Sequence, residues 1–260
     1  MGHVVVAIVI GLVVGLLSGV FGVGGSSIAT PLLRVFLGTS PLIALASPLP
    51  VTLPVALSGT IAYQRHRLIS RRVVAWTAVG GMPAVILGSV LTRWVPGHWL
   101  MLLVAAAMVL AGWQILRSSA PLGTGAPSQS GAAVWQDPPV AVLLAVAVVA
   151  GLLSGLLAIG GGLFLIPAFI LLLGADVREA AATSLACVAF LALPGTVTHA
   201  LLGHIDWWLS LQLGLTAIPA TYLGARLSLR LTQVRLRRSF GVFLLVFAVY
   251  FFIQELLKAV

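Results

Sequence analysis

Long apolar runs alternate with short polar stretches along the chain. The runs form two groups of five, at 3–21, 26–37, 42–63, 73–92 and 98–116, and then at 138–158, 162–173, 179–201, 207–229 and 239–257. Most of them have the length, about 18 to 25 residues, at which a helix crosses the hydrocarbon core of a bilayer. Their apolar residues are continuous rather than alternating, which excludes the strands of a membrane β-barrel. The pattern predicts an all-α polytopic membrane protein.

A polar segment at 117–137 separates the two groups of runs. It is rich in Gly, Ser, Ala and Pro and shows no apolar period, so we expect a flexible linker. The sequence therefore predicts two membrane repeats, residues 1–116 and 138–260, which are joined by this linker on the cytoplasmic side.

The two groups are copies of one another. An offset of 136 residues, which places Ser18 on Ser154 and Pro31 on Pro167, aligns residues 15–88 with residues 151–224 without a gap. About 22 of these 74 positions are identical, roughly three times the share expected by chance for such an apolar composition. The matches include glycines and prolines, which set backbone geometry, so we interpret the two groups as an internal repeat.

Basic residues occupy different loops in the two copies. Residues 64–72 contain four arginines, and their equivalents, residues 200–208, contain none. The reverse holds for residues 230–238, with four arginines, and their equivalents 94–102, with none. Because loops rich in Lys and Arg stay in the cytoplasm, we expect equivalent loops on opposite sides of the membrane. The sequence thus predicts two inverted-topology repeats of about five segments each, with both termini outside.

Composition supports the membrane class and narrows the partners. The 260 residues are 60% hydrophobic and only 7% charged, whereas soluble domains carry about a quarter charged residues. The net charge of +9 comes from short basic patches between the apolar runs, and such patches set orientation in the membrane. We therefore expect the lipid bilayer as a partner and no nucleic acid.

A glycine-rich turn separates the first two runs of each group. Residues 22–25 (GVGG) form this turn in the first repeat, and residues 158–161 (AIGG) form it in the second. The run after each turn has about twelve residues and is too short to span the membrane comfortably. We expect each pair of runs to form a hairpin whose turn lies inside the protein. Inverted repeats with interrupted helices are typical of secondary transporters, which bind substrate near the membrane midplane.

The glycine turns are candidates for binding an anion without a charged side chain. Their backbone N–H groups and the positive end of the short helix that follows form a neutral anion site. Hydroxyl groups nearby add donors. The candidate binding residues are Gly22, Gly24, Gly25, Ser26, Ser27, Thr30, Ser47, Ala158, Gly160, Gly161, Gly162, Thr183 and Ser184. The alternative is that the glycines only let helices pack closely, as small residues do in membrane bundles.

Four further residues are candidates for gating or ion coupling, namely Arg34, Thr60, Thr196 and His199. Arg34 either neutralises an anion or extends to the nearby interface, and we favour the interface. Thr60 and Thr196 are equivalent positions of the two repeats. His199 either titrates near physiological pH or serves a structural role. We expect no pair of carboxylates inside the membrane.

The sequence lacks the motifs of the common enzyme classes. It contains no HExxH metal motif, no Gly-x-Ser-x-Gly nucleophile motif and no lysine-bearing phosphate loop. We therefore expect no enzyme activity, no cofactor and no metal ion.

The glycine motifs resemble those of a known family. The pattern G-L-x-S-G-x-x-G-x-G-G at 15–25, its close copy at 151–161, the proline six residues beyond each, and A-T-S-L-A at 182–186 are similar to the TauE/SafE sulfite exporter family of toluene-sulfonate uptake permeases. The resemblance covers nearly the whole chain. It implies a transporter of small sulfur-containing anions, such as sulfite or sulfoacetate, in a bacterial inner membrane, with proton coupling.

Other functions stay open at this point. A channel for anions or small solutes and an uptake permease for small carboxylates fit the same architecture, and so does a membrane scaffold or subunit. Interrupted helices in opposed halves favour a carrier that works by alternating access. The sequence does not specify the oligomeric state, and a homodimer is one of the states that stay open.

Overall fold

The computed structural model describes residues 2–117 and 138–259 and contains eleven α-helices in them. The helices are α1 Gly2–Phe21, α2 Ser26–Phe36, α3 Pro41–Ala46, α4 Leu49–Gln64, α5 Arg71–Leu91, α6 Gly97–Arg117, α7 Val140–Leu157, α8 Gly162–Leu172, α9 Val177–Leu201, α10 Trp207–Ser228 and α11 Gln233–Ala259. These described residues include no strand, which confirms the all-helical class. The expected linker at 117–137 lies outside them, apart from its first residue.

The run at 42–63 is not one helix, contrary to the sequence prediction. It is divided into α3 and α4 at Pro48. Pro48 and Pro50 have no N–H group to donate within a helix, and α4 begins anew where the Thr52 N–H donates to the Pro48 carbonyl oxygen at 3.0 Å. The equivalent helix α9 continues through this point, because Ser184 and Ala186 replace the two prolines.

The basic segment 230–238 is also not the loop that the sequence suggested. Helix α11 begins at Gln233, so Arg230 is the one arginine of this segment that precedes the helix. Gln, Leu and Arg all have good helix propensity, which explains why the helix extends into the basic residues.

Among the residues that the structure describes, six segments are long and apolar enough to cross a membrane, namely His3–Phe21, Pro41–Gln64, Arg71–Leu91, Gly97–Gln114, Val140–Leu157 and Val177–Leu201. Helices α2 and α8 have 11 residues each, fewer than the roughly 20 residues that a membrane span needs. The chain is therefore a multi-pass membrane protein in which two short helices follow two long ones.

Each half packs its first helix against the other half. The glycine-mediated contacts are Gly11–Leu213, Gly15–Ala217 and Gly19–Thr221 between α1 and α10, and Gly151–Gly81 and Gly155–Val85 between α7 and α5. Both members of each pair advance by four residues together, so the paired helices run parallel. A β-carbon at Gly19 would overlap the carbonyl oxygen of Thr221, and one at Gly155 would overlap that of Val85.

These contacts occur twice, at equivalent positions of the two repeats. Gly155 and Val85 are the repeat equivalents of Gly19 and Thr221, so the contact between α7 and α5 copies the contact between α1 and α10 with the halves exchanged. Helices α4 and α9 meet between these pairs, and most residues of α9 are buried. The two helices bring the glycine turns of both halves together.

Candidate functional site

The two glycine turns share a left-handed backbone at two equivalent positions and differ at a third, where Gly25 has a φ of −70° and Gly161 is left-handed. Gly22 and Gly24 have φ angles of +77° in the turn between α1 and α2. Their equivalents, Ala158 and Gly160, have φ angles of +50° and +69° in the turn between α7 and α8, and Gly161 has +85°. Glycine adopts these left-handed angles without steric cost, whereas alanine at this φ is strained by roughly 1–2 kcal/mol. Both hairpins expected from the sequence are present.

The two turns contact one another inside the protein. A β-carbon at Gly162 would overlap the Val23 carbonyl oxygen, so the start of α8 lies directly on the first turn. A β-carbon at Gly160 would lie 3.3 Å from Ser26 Oγ, at the start of α2. The N-termini of α2 and α8 therefore meet, and the positive ends of both helix dipoles converge on this region.

Thr52 of α4 and Val188 of α9 flank both turns. A β-carbon at Gly160 would lie 3.1 Å from Thr52 Cγ2 and 3.3 Å from Val188 Cγ1. A β-carbon at Gly24 would lie 3.6 Å and 3.0 Å from the same two atoms. Thr52 and Val188 are repeat equivalents, so the turns and the two side chains form a region of approximate twofold symmetry with uncharged walls.

The hydroxyl groups of the first hairpin differ in their availability. Ser27 Oγ donates to the Val23 carbonyl oxygen at 3.0 Å, and Thr30 Oγ1 donates to the Ser26 carbonyl oxygen at 2.9 Å. Ser26 Oγ is fully buried and has no hydrogen-bond partner. Because a buried hydroxyl without a partner costs about 1–3 kcal/mol, Ser26 is the donor of this group that is available to a ligand.

Ser47 and Thr183 each accept a hydrogen bond from the backbone at the start of a helix in the opposite half. Ser47 Oγ accepts the Asp206 N–H at 2.9 Å, and Thr183 Oγ1 accepts the Ser70 N–H at 3.2 Å. Asp206 and Ser70 are the N-cap residues of α10 and α5. Both pairs are repeat equivalents, so the hydroxyls of Ser47 and Thr183 are hydrogen-bonded to the backbone that precedes a helix rather than to the glycine turns.

Ser184 has a buried hydroxyl without a partner. It lies on the same face of α9 as Ala181 and Val188, since residues three or four apart are neighbours on a helix. These two residues contact Gly22 and Gly24 of the first turn. The structure therefore keeps Ser184 beside the candidate site.

Thr60 and Thr196 lie farther along α4 and α9, and the hydroxyls of both are buried without a partner. The preceding glycines, Gly59 and Gly195, contact Leu185 and Val85 respectively rather than the turns. The structure places these threonines outside the region where the turns meet.

Thr52 was not identified from the sequence. Its side chain is buried beside both turns and donates to the Pro48 carbonyl oxygen at 2.9 Å. The repeat gave no signal at this position, because its equivalent is the apolar Val188. The proline-containing segment around it could have indicated a helix start near the site.

Arg34 forms an ion pair rather than extending freely to an interface. Its Nη2 lies 2.8 Å from Glu255 Oε1, its Nε lies 3.1 Å from the same oxygen, and its Nη1 donates to the Thr39 carbonyl oxygen at 2.9 Å. Glu255 is only 2% exposed. The pair connects α2 to α11, and neither residue lies at the glycine turns.

A groove elsewhere in the protein is apolar and does not suit an anion. It has a volume of about 650 Å³ and lies between α6, α7 and α8, with Leu103, Val149 and Phe164 among its lining residues. In a bilayer the acyl chains of lipids fill such a surface. The glycine turns therefore remain the candidate site.

Comparison with known proteins extends over both repeats. Residues 7–251 match the family model described as sulfite exporter TauE/SafE. A "Probable membrane transporter protein" of Xylella fastidiosa is 30% identical over 236 residues, which cover 89% of this chain and 88% of that protein. The "Probable membrane transporter protein YunE" of Bacillus subtilis is 24% identical over 239 residues, which cover 86% of each protein.

Proposed function

We propose that this membrane transporter, which belongs to the sulfite exporter TauE/SafE family, carries small sulfur-containing anions such as sulfite or sulfoacetate by alternating access. Its relatives are named membrane transporters rather than enzymes. Those relatives are bacterial proteins, which supports a place in the cytoplasmic membrane of a bacterium. The description of the family as a sulfite exporter supports export as the direction of transport.

The anion site of this proposal lies where the glycine turns meet. The observation that carries it is the buried, unpartnered Ser26 hydroxyl, which faces Gly160 of the opposite turn. The first N–H groups of a helix have no acceptor within that helix, so the starts of α2 and α8 supply further donors. Ser184 of α9 supplies a second free hydroxyl. Together these groups form a neutral site for an oxyanion.

The walls of the site are uncharged, which suits a carrier that must release its substrate. The side chains nearest the turns come from Thr52, Val188 and Ser26. Hydrogen bonds from neutral donors bind an anion less tightly than a bidentate arginine does. We therefore expect moderate affinity and rapid release.

Helix directions support two halves of opposite orientation. Helix α1 runs parallel to α10, and Gly59–Thr221 and Gly214–Val51 contacts make α10 parallel to α4. Gly59–Leu185 and Gly195–Leu49 contacts make α4 antiparallel to α9. Helix α9 runs parallel to α5, through Gly81–Leu191 and Gly195–Val85, and α5 runs parallel to α7. Helix α1 is therefore antiparallel to its equivalent α7, as an inverted repeat requires.

Purified protein and two matched serine variants test the anion site. Ser26→Ala removes the free hydroxyl, and Ser27→Ala removes a neighbouring hydroxyl that is bonded to the backbone. A hydrogen bond to a charged ligand contributes about 1.5–3 kcal/mol, so Ser26→Ala should weaken sulfite or sulfoacetate binding about tenfold or more. Ser27→Ala should leave affinity within about twofold. Isothermal titration with each anion measures the difference.

Transport itself is measured as flux of labelled sulfite or sulfoacetate from proteoliposomes. Saturable flux and counterflow support a carrier, whereas steady conductance without saturation supports the channel alternative. Equal effects of the two serine variants would place the substrate elsewhere. A complete lack of flux for sulfite, sulfoacetate and small carboxylates would contradict the proposal.

A further inference from the structure

Two histidines form a pair at the end of α9. His199 is fully buried, and its Nδ1 lies 3.2 Å from Nδ1 of His204, in the turn that follows the helix. The Nε2 of His199 lies 3.1 Å from the Gly155 carbonyl oxygen. Because a carbonyl oxygen only accepts, His199 Nε2 carries the hydrogen, and the neutral ring then accepts at Nδ1 from the Nδ1–H of His204. These hydrogen bonds assign the tautomers of both rings.

The first repeat makes the same contact with a residue of different chemistry. The Tyr63 hydroxyl donates to the Gly19 carbonyl oxygen at 2.8 Å. Tyr63 and Gly19 are the repeat equivalents of His199 and Gly155. A phenol stays protonated at physiological pH, whereas an imidazole binds or releases a proton there. Of these two equivalent contacts, the one in the second repeat is therefore able to change with pH.

Gly155 connects this pair to the candidate anion site. It lies in the last turn of α7, three residues before Ala158, where the second glycine turn begins. A β-carbon at Gly155 would overlap the carbonyl oxygen of Val85. The hydrogen bond from His199 is therefore made to a tightly packed part of the hairpin. A change in the strength of this hydrogen bond therefore changes an interaction that fixes the backbone just before the second glycine turn.

The histidine pair lies at the end of the bundle opposite the loop 65–70. Thr183, near the start of α9, is hydrogen-bonded to Leu68 and Ser70 of that loop, and His199 lies near the end of the same helix. The loop carries Arg65 and Arg67 and is expected in the cytoplasm. His204, which is partly exposed, then faces the outer side, and the buried His199 lies behind it.

The titratable side chains on the elements packed against α9 are His3 of α1, Tyr63 of α4, Arg71 and Arg72 of α5, and Arg238, Tyr250 and Glu255 among the described side chains of α11. Helices α7 and α8 carry no titratable side chain. Helix α9 itself carries Arg178 and Glu179 in its first turn, and the buried Cys187 near its middle. Asp206, two residues after His204, accepts the Leu209 N–H at its Oδ1.

Arg93, which follows α5, is the charged group that acts on His204. Burial, and then the charge of Arg93, lower the pKa of the His204 imidazole below its ordinary value. A histidine with a lowered pKa is neutral at neutral pH and becomes charged only in more acidic solution. His204 is therefore neutral at neutral pH and binds a proton when the outer solution becomes acidic.

We propose that His199 and His204 form a proton-binding site that couples the pH of the outer solution to the second glycine hairpin. The proposal rests on the transport function proposed above, for which it names the proton as coupling ion and these two residues as its binding site. It assigns the two halves different roles, because the equivalent contact in the first half is made by a tyrosine.

Proton uptake is one transfer, from solution to Nε2 of His204, whose Nδ1 already carries a hydrogen. His204 becomes the cation, and the fully buried His199 stays neutral, because burial disfavours the charged form. The Nδ1–H of His204 then donates to Nδ1 of His199 as a charged donor, and a hydrogen bond from a charged donor is shorter and stronger than one from a neutral donor. Hydrogen bonds in a chain strengthen one another, so protonation of His204 strengthens the bond from His199 Nε2 to the Gly155 carbonyl oxygen.

Histidine NMR titration tests the site without any substrate. Protein labelled with ¹⁵N-histidine contains five imidazoles, and the signals of the pair are assigned from the variants His199→Tyr and His204→Gln. Tyrosine is the matched replacement at 199, because the first repeat already uses it to bond the equivalent glycine. His66→Gln, in the exposed loop at the opposite end, is the control. We expect the signals of both paired rings to shift together over one acidic transition.

Sulfite flux into or out of proteoliposomes provides the second readout. Sulfite itself titrates near neutral pH, so the flux of each variant is compared with that of the wild type at the same pH. We expect the wild-type rate to rise several-fold as the outer pH falls from about 7 to 5, on the acidic side of the ordinary titration range of histidine, because the pKa of His204 is lowered. This rise should be absent in His199→Tyr, which keeps a donor to Gly155 and removes one imidazole of the pair. His204→Gln should shift or flatten the profile, and His66→Gln should retain it.

The outcomes separate this inference from the transport proposal. Independent titration of His199 and His204, or a wild-type pH profile in a folded His199→Tyr protein, would overturn the proton site. If His199→Tyr fails to fold, the NMR titration of the wild type and of His204→Gln still decides the question. Coupled titration without sulfite flux would support the proton site and count against sulfite as the substrate.

Discussion

At Gly155 in α7, the Val85 carbonyl oxygen of α5 occupies the space that a β-carbon would need. The same arrangement at Gly19 and Thr221 joins α1 to α10. Backbone atoms cannot move aside as a flexible side chain can, so these glycines are required by packing. Close packing also explains two glycines at the turns, because a β-carbon at Gly22 would overlap the backbone of Ala181 and one at Gly162 would overlap that of Val23. Anion binding at the turns stays a prediction.

Gly155→Ala should destabilise the folded protein. Overpacking a close contact costs typically about 1–3 kcal/mol, and here the contact is with backbone. Gly214→Ala, in α10, is the matched control, because a β-carbon there would lie 3.6 Å from the nearest atom, Val51 Cγ1. Alanine is the better helix former by about 1 kcal/mol, so Gly214→Ala should be neutral or stabilising. Thermal unfolding in detergent compares the two, and equal melting temperatures would contradict the packing role.

At the scale of the helices, the contact between α2 and α11 depends on one ion pair. Arg34 is held by Glu255, a carboxylate with 2% exposure. Removing one partner of a buried pair leaves an uncompensated charge, whereas replacing both by apolar residues is often close to neutral. The two residues are separated by 221 positions, so the sequence could not show that they meet.

Arg34→Leu should lower the free energy of unfolding by about 3–5 kcal/mol, because it leaves Glu255 buried without its partner. The double variant Arg34→Leu/Glu255→Leu should recover most of the lost stability. Thermal unfolding of the wild type, both single variants and the double variant gives the coupling energy. Additive effects of the two substitutions would show that the pair contributes little.

Helix boundaries were largely predictable from the apolar runs, and the exceptions have local causes. Pro48 and Pro50 interrupt the third run, although most residues of this run are apolar. Helix α11 begins at Gln233, inside the basic segment 230–238, whose hydropathy is typical of a loop. Hydropathy measures neither the loss of a backbone donor nor helix propensity, so it could not detect these two boundaries.

The candidate site was predictable only in part. The repeated glycine turns were visible because two copies carry the same pattern, and Ser26 stands beside them in the sequence. Thr52 was not visible, since its equivalent is Val188 and it reaches the turns only through the packing of α4. Ser26 and Ser27 also differ in a way that the sequence does not show. Helix geometry brings the Ser27 hydroxyl to the Val23 carbonyl oxygen and leaves the Ser26 hydroxyl without a partner.

At the scale of the whole molecule, equivalent residues occupy opposite ends of the bundle. Arg65 and Leu201 are repeat equivalents, and both side chains are exposed. Arg65 follows α4 and Leu201 ends α9, and these helices run antiparallel. The orientation of the two halves relative to the membrane stays a prediction, which labelling from each side can test.

Single cysteines at these two positions should be labelled from opposite sides of the membrane. The chain has one cysteine, Cys187, which is fully buried, so a Cys187→Ala background removes it. In this background Arg65→Cys should react with an impermeant maleimide from the cytoplasmic side and Leu201→Cys from the outer side. Labelling of both cysteines from one side in sealed vesicles of known orientation would exclude inverted repeats.

The exchange of first helices between the halves has a consequence for biosynthesis. Helix α1 leaves the ribosome early, but its glycine face packs against α10, which is made about two hundred residues later, or roughly 10–40 seconds at typical rates of synthesis. During that interval the glycines of α1, which later pack against the backbone of α10, are in contact with lipid or an insertion chaperone. Neither half is then a self-sufficient folding unit, and α1 acquires its native contacts only after α10 has been made.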